Sequence, residues 1–251
     1  MQEDATFLEI INLCKENGFY KRRNAFFRVH GDGIVQILQY KKRMRPYPPC
    51  IDLNLGLYSM YGEIRPQELT PGGCVAKYPT HWLKPGAKEA SVRSLFDSSF
   101  QNGNFYDHEV DVDFTKEKII PLLNGMKTQQ ELAETMCFMD QHTNTFCVGR
   151  ILWNDIKKYY PYLRAGNYKM AQKVIHAIVA QRESVRERHR QTWTTEAFEN
   201  YWNSCKDEDR WINDLKELAD SEDDCAIREY LDNNYRTNLK LTEPFRKTGR
   251  P

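Results

Sequence analysis

The sequence predicts an α+β fold: an N-terminal helix packed on an antiparallel sheet of about four strands, followed by a helical C-terminal portion. Three observations carry that expectation. Phe7, Ile10, Ile11 and Cys14 recur at i, i+3, i+4 and i+7, the apolar stripe of an amphipathic helix. Residues 25–59 hold three strand-like runs punctuated by glycines and prolines. Beyond about Trp153 apolar residues return at helical spacing, most clearly Tyr168, Ala171, Val174, Ile175, Ile178 and Val179.

The first helix is expected to start near Asp4, an acceptable N-cap, and to end at Gly18, which takes the left-handed C-cap conformation at no steric cost. After the basic run Lys21-Arg22-Arg23, strands are expected over 25–30, 33–41 and 51–59. Gly31-Asp32-Gly33 is a tight-turn signal between the first two. Ile34, Val35, Ile37 and Leu38 are apolar on both faces, so the middle strand is expected to be central and covered on both sides. Pro46, Pro48 and Pro49 cannot continue a hydrogen-bonded ladder. In the third strand Ile51, Leu53, Leu55 and Leu57 alternate with Asp52, Asn54, Gly56 and Tyr58, the pattern of a half-buried strand.

Residues 62–103 read as a long irregular insertion with a short helix around Val92 to Phe96, and a fourth strand is expected over 105–114. Thr115 caps a short helix through Leu123, and Thr128-Gln129-Gln130-Glu131 is a capping box opening another. The helix that begins near Tyr168 continues past Val185 as a charged, solvated extension. Two more helices are expected over 195–219 and 222–234, the second opened by Ser221-Glu222-Asp223-Asp224 with its acids where the helix dipole favours them. The chain thus divides into a sheet domain over 1–126, a helical region over 127–235 docked on it, and an irregular tail over 236–251.

Composition excludes more than it assigns. A net charge of +1 gives no global field toward polyanions, so nucleic-acid binding would need a local patch. No run of about 18 apolar residues occurs, and the first residues carry no signal-peptide pattern, so the expected address is the cytoplasm and no membrane partner is expected. The seven cysteines never approach a C-x-x-C spacing, and nearly all of them read as small buried hydrophobes. Phosphate-loop, dinucleotide-binding, nucleophile-elbow, zinc-protease and EF-hand motifs are all absent from the sequence, and no cofactor is expected.

Four stretches carry a resemblance: Gly18-Phe19-x-Lys21-Arg22, Phe26-Phe27-Arg28, the apolar strand ending at Lys41, and Leu53-Asn54-Leu55-Gly56-Leu57-Tyr58. In order and spacing they resemble a bacterial family of domains of unknown function (family 4304), over roughly the first half of the chain. The family's tryptophan- and arginine-bearing segment after the third strand is echoed only by His81-Trp82 and Arg93. The resemblance implies a helix-plus-antiparallel-sheet domain and no activity.

Three constellations stand out as candidate sites. Lys21, Arg22 and Arg23 and the run Lys41, Lys42, Arg43 sit at ends of strands that should be neighbours, with Arg28 nearby, and form a candidate corner for an anion or an acidic partner. Solubilising loop residues are the simpler account of both runs. Asn54 and Tyr58 share the polar face of the third strand, with Gly56 leaving room for a ligand or a covering backbone. Asp107, Glu109, Asp111 and Asp113 alternate on the expected fourth strand and match the oxygen ligands of a divalent cation, although a solvated strand face is the simpler and favoured account. With no catalytic motif and with Trp82, Trp153, Trp193, Trp202 and Trp211 as candidate anchors, the sequence favours a non-catalytic protein that binds another macromolecule, in first place a protein. An immunity or regulatory protein is one version. The alternative is an enzyme acting on a phosphate-bearing substrate at the basic corner, with a metal on the acidic strand.

Overall fold

The computed structural model describes residues 5–22, 25–43, 50–64, 77–79, 113, 115–142 and 151–247. Helix α1 (Ala5–Glu16) leads into strands β1 (Tyr20–Arg22), β2 (Ala25–His30), β3 (Ile34–Arg43), β4 (Cys50–Ser59) and β5 (Lys77–Pro79). A π-helical turn (Thr115–Ile119) runs into α2 (Ile120–Gly125), followed by α3 (Gln129–His142), α4 (Ile151–Arg164) and α5 (Tyr168–Thr192). The remaining helices are α6 (Thr195–Ser204), α7 (Lys206–Ser221) and α8 (Asp224–Lys247). The fold is therefore α+β.

The strands form an antiparallel meander in the order β1-β2-β3-β4-β5, so β3 is central. One face carries Phe26, Ile34, Leu38 and Leu57 into a core with Ile10, Ile11 and Cys14 of α1, Leu122 and Leu123 of α2, and Leu132 and Met136 of α3. The opposite face carries Phe27, Val35, Ile37 and Tyr58, which pack with Tyr235, Leu239 and Leu241 of α8. The apolar residues on both sides of β3 thus find cover on both faces, as their pattern requires. A separate core joins the helices: Ile156, Tyr159 and Leu163 of α4, Ile175 and Ile178 of α5, Ile212 and Leu215 of α7, and Ile227 and Leu231 of α8.

Local chemistry sets the element ends. Gly18, at φ +77°, closes α1 with paired bonds from Gly18 N to Lys15 O (2.9 Å) and Phe19 N to Cys14 O (3.0 Å). Gly31 and Gly33 both take positive φ in the β2–β3 turn, where Asp32 N donates to Lys127 O (2.8 Å) and Tyr61 OH donates to Asp32 (2.7 Å). The capping box of α3 is complete: Glu131 accepts from Thr128 N (2.9 Å), and Glu131 N donates to Thr128 Oγ1 (3.2 Å). Asp223 caps α8 by accepting from Cys225 N (2.9 Å) and Ala226 N (3.2 Å).

Several expectations need correction. Among the described residues the sheet has two short outer strands, β1 and β5, beyond the three expected over 25–59, and β5 lies inside the stretch expected to be irregular. Its Pro79 suits an edge, where no donor is required. The strand expected over 105–114 lies outside the described residues except at Asp113, which is helical and exposed. The expected helix over 195–219 is split at Cys205 into α6 and α7, and Asp207, Glu208 and Asp209 mark the new N-terminus with the acids its dipole favours. The tail expected to be irregular from 236 is instead the second half of α8, helical through Lys247. It is held there by polar side chains: Asn238 Nδ2 donates to Met60 O (2.8 Å) and Gly62 O (2.6 Å), and Asn234 Nδ2 to Tyr61 O (3.1 Å). Cys14 is buried as its register demands, whereas Cys225 is exposed.

Candidate functional site

Register places both basic runs at one end of the sheet. Arg22 of β1 lies opposite Ala25, which lies opposite Gln39 of β3, and Lys41, Lys42 and Arg43 follow directly, paired with Asp52, Ile51 and Cys50 of β4. Two strand spacings of about 4.8 Å and two residues of about 3.4 Å set Arg22 and Lys41 on the order of 12 Å apart along the backbone. Lys21 is half-buried opposite Phe26. Arg23 lies outside the described residues, as do Asp107, Glu109 and Asp111, and so do the side chains of Arg22, Lys41, Lys42, Arg43 and Asn54. Asn54 pairs with Gln39 and Pro79 in the interior of the sheet.

Two of the sequence candidates are structural. Tyr58 is fully buried, because α8 covers the face that alternation alone assigns to solvent. Arg28 is 6% exposed and spends its guanidinium inside the protein, donating to Gln36 Oε1, Asn17 O and Asn124 Oδ1, each at 2.7 Å. Gln36 in turn donates to Leu123 O (2.7 Å), and the Arg28 guanidinium lies 4.2 Å over the Phe19 ring. The cation thus joins the C-terminal ends of α1 and α2, where helix dipoles favour positive charge. Burial still weakens its hold on the proton and pulls its pKa down to about 10.

A different corner gathers exposed aromatic rings and cations. Along α5, Arg182, Arg186, His189 and Arg190 recur at i, i+4, i+7 and i+8, and Trp193 closes the helix one turn on, its N–H bonded to His189 O at 2.9 Å. Thr194 then caps α6, accepting from Ala197 N (3.4 Å). Trp202 is the one residue of α6 that is buried, 5% exposed, and it anchors the helix. His189 stacks on Trp193 (3.8 Å between centroids, 14° between planes), and Tyr201 meets Trp193 edge-on at 5.3 Å and Trp202 at 5.4 Å. Arg182 and Arg186 lie 5.4 and 5.3 Å over the Trp202 ring, and Arg190 lies 5.5 Å over Phe198. Trp193 and Tyr201 remain 39% and 45% exposed.

The electrostatics of this corner are uneven. Arg182 is paired with Glu208 (2.7 Å) and with Asp209; burial opposes its charge, but the Asp209 hydrogen bond and the Glu208 charge hold its pKa above the ordinary range. Arg186 makes no ion pair among the described residues and is engaged through the Trp202 ring alone. Of five buried side-chain nitrogens and oxygens without a hydrogen bond among the described residues, three belong here: Trp202 Nε1, His189 Nδ1 and Arg182 Nη2, the last in ion-pair contact with Glu208 but not aligned for a hydrogen bond. A half-open cleft of about 100 Å³ runs beside them, lined by Val179, Arg182, Arg186, Trp202, Asp209 and Ile212 among others.

Sequence reasoning named Trp193 and Trp202 as anchors but took the charged half of α5 for a solvated extension. The overlooked signal was local: Trp193, Phe198, Tyr201 and Trp202 fall within ten residues of one another, next to a basic helical stripe. Of the other tryptophans, Trp211 donates to Glu63 (2.7 Å), while Trp82 and the Trp153 side chain lie outside the described residues. No described helix is long and apolar enough to cross a membrane, and among the described residues no group of three or more His, Cys, Asp or Glu is arranged to hold a metal ion. No family model, curated protein or solved structure matches the chain.

Proposed function

We propose that the protein acts without catalysis by binding another protein, and that the partner docks on the α5–α6 corner. One observation carries the reading: Trp193 and Tyr201 keep 39% and 45% of their surface in water although they touch each other and His189. Exposed aromatic residues beside arginines are the composition of interface anchors. Helix α6 supports the same reading, since a ten-residue helix that buries a single side chain gains little from its own protein. A partner covering it would supply the missing contact. An immunity or regulatory protein that masks its partner is the specific version we favour.

The experiment is affinity capture from the native host with the wild-type chain and with the Trp193→Ala/Tyr201→Ala double variant. The reading predicts a stoichiometric protein partner that the double variant loses while its circular dichroism is unchanged. A partner retained by the double variant, or none captured by either chain, would contradict it.

A further inference from the structure

Beside the exposed rings lies a cleft whose chemistry narrows the kind of partner. We infer that the cleft between α5, α6 and α7 receives an acidic side chain, an aspartate or glutamate of the protein that docks on Trp193 and Tyr201; the inference rests on the docking reading above. The α5 stripe facing α6 consists of Arg182, Arg186, His189 and Arg190, of which Arg190 is paired with Glu187 (2.7 Å). Arg182 is already engaged by Glu208 and Asp209, but Arg186 is exposed, lines the cleft and has no carboxylate partner among the described residues. Trp202, also on the lining, is 5% exposed and its buried indole N–H meets no acceptor among the described residues. A buried donor of that kind is costly until an acceptor arrives.

A carboxylate supplies two acceptor oxygens and the charge that Arg186 lacks opposite it. Size points the same way. A cleft of about 100 Å³ is well below the ~300–1,000 Å³ of small-molecule pockets, so it admits one side-chain terminus rather than a whole ligand. Among the lining carboxylates, Asp209 is held by Arg182, while Glu183, like Arg186, is exposed to water that screens it. Val179 and Ile212 provide apolar wall for the methylene stem.

The test is selection of a random peptide display library on the full chain, followed by fluorescence anisotropy with the enriched peptides. The expected peptides carry Asp or Glu beside an aromatic or aliphatic residue. Replacing that acid by its amide in the peptide should weaken binding about tenfold or more, and Arg186→Ala in the protein should do the same. The peptide-side change keeps the test valid even if the protein variant is perturbed. Enriched peptides that lack an acid, or that ignore its amidation, but are lost on Trp193→Ala would overturn the acidic partner and leave the docking surface standing. No enrichment, or peptides indifferent to Arg186, Trp193 and Tyr201 alike, would overturn both.

Discussion

Arg28 under the sheet and Arg186 on α5 are both cations set over an aromatic ring, 4.2 Å above Phe19 and 5.3 Å above Trp202. Their surroundings separate them. Arg28 is buried and each of its three guanidinium nitrogens meets an acceptor, from β3 or from the ends of α1 and α2, whereas Arg186 is exposed and paired with nothing but its ring among the described residues. A buried cation can be kept only if its donors are spent, so Arg28 is part of what holds the fold together. A cation left with unspent donors beside exposed aromatic surface is available to a partner. Residue type is the same in both places, and the polar accounting around it tells structure from recognition.

Alkaline pH should break the interior as a whole while sparing that distinction at the surface. Burial raises the phenol pKa of Tyr159, Tyr160, Tyr162 and Tyr230, and it pushes Tyr61 up to about 12 with help from Asp32. Each phenol therefore stays neutral when folded at a pH where its unfolded counterpart, near 10, has ionised. The unfolded state then binds fewer protons, so stability is complete below pH 10 and is lost as the pH climbs toward and beyond about 12. Arg28, pulled down to about 10, works in the opposite direction, but one arginine stands against five tyrosines. A Tm that falls steeply above pH 10 is expected from calorimetry; a flat or rising Tm would remove the buried-tyrosine account.

The Arg28→Met variant tests the structural half of the comparison directly. It leaves the neutral acceptors Gln36 Oε1, Asn17 O and Asn124 Oδ1 without their donor, and should cost about 3–5 kcal/mol in urea denaturation. A cost below about 1 kcal/mol would show that the network relaxes freely. Gly31→Ala should cost about 2–4 kcal/mol, because φ is +56° and the new Cβ would collide with the backbone oxygen of Lys127. The smallest effect belongs to the other half: Trp193→Ala/Tyr201→Ala should change stability by no more than about 1 kcal/mol, since both rings are largely exposed. A large loss there would make the aromatic corner structural and erase the contrast with Arg28.

Much of the sheet was legible because its signals are local. The Gly31-Asp32-Gly33 turn, the Gly18 cap and the two-sided apolar pattern of β3 each follow from a few adjacent residues. The burial of Tyr58 was hidden because its cover, α8, lies far along the chain. The second half of α8 was hidden in turn because its most deeply buried positions, Asn238 and Thr242, are polar. Half-buried Asn234 and buried Asn238 and Thr242 continue the spacing of Ile227 and Leu231, but are held by bonds to loop carbonyls and to the helix itself. The candidate corner was half legible. Trp193 and Trp202 could be named as anchors, but His189, Arg186 and Tyr201 join them only when α6 folds back beside α5.

Hydrogen–deuterium exchange on the full chain, free and bound to the protein it captures, tests the central claim most directly. The amides of α6 and of the last turns of α5 should exchange fast in the free chain and slow strongly in the complex, while those of β2 and β3 around Arg28 stay equally protected in both. Protection that appears instead at the basic end of the sheet, with α6 still exchanging freely, would contradict the assignment of the aromatic corner as the docking surface.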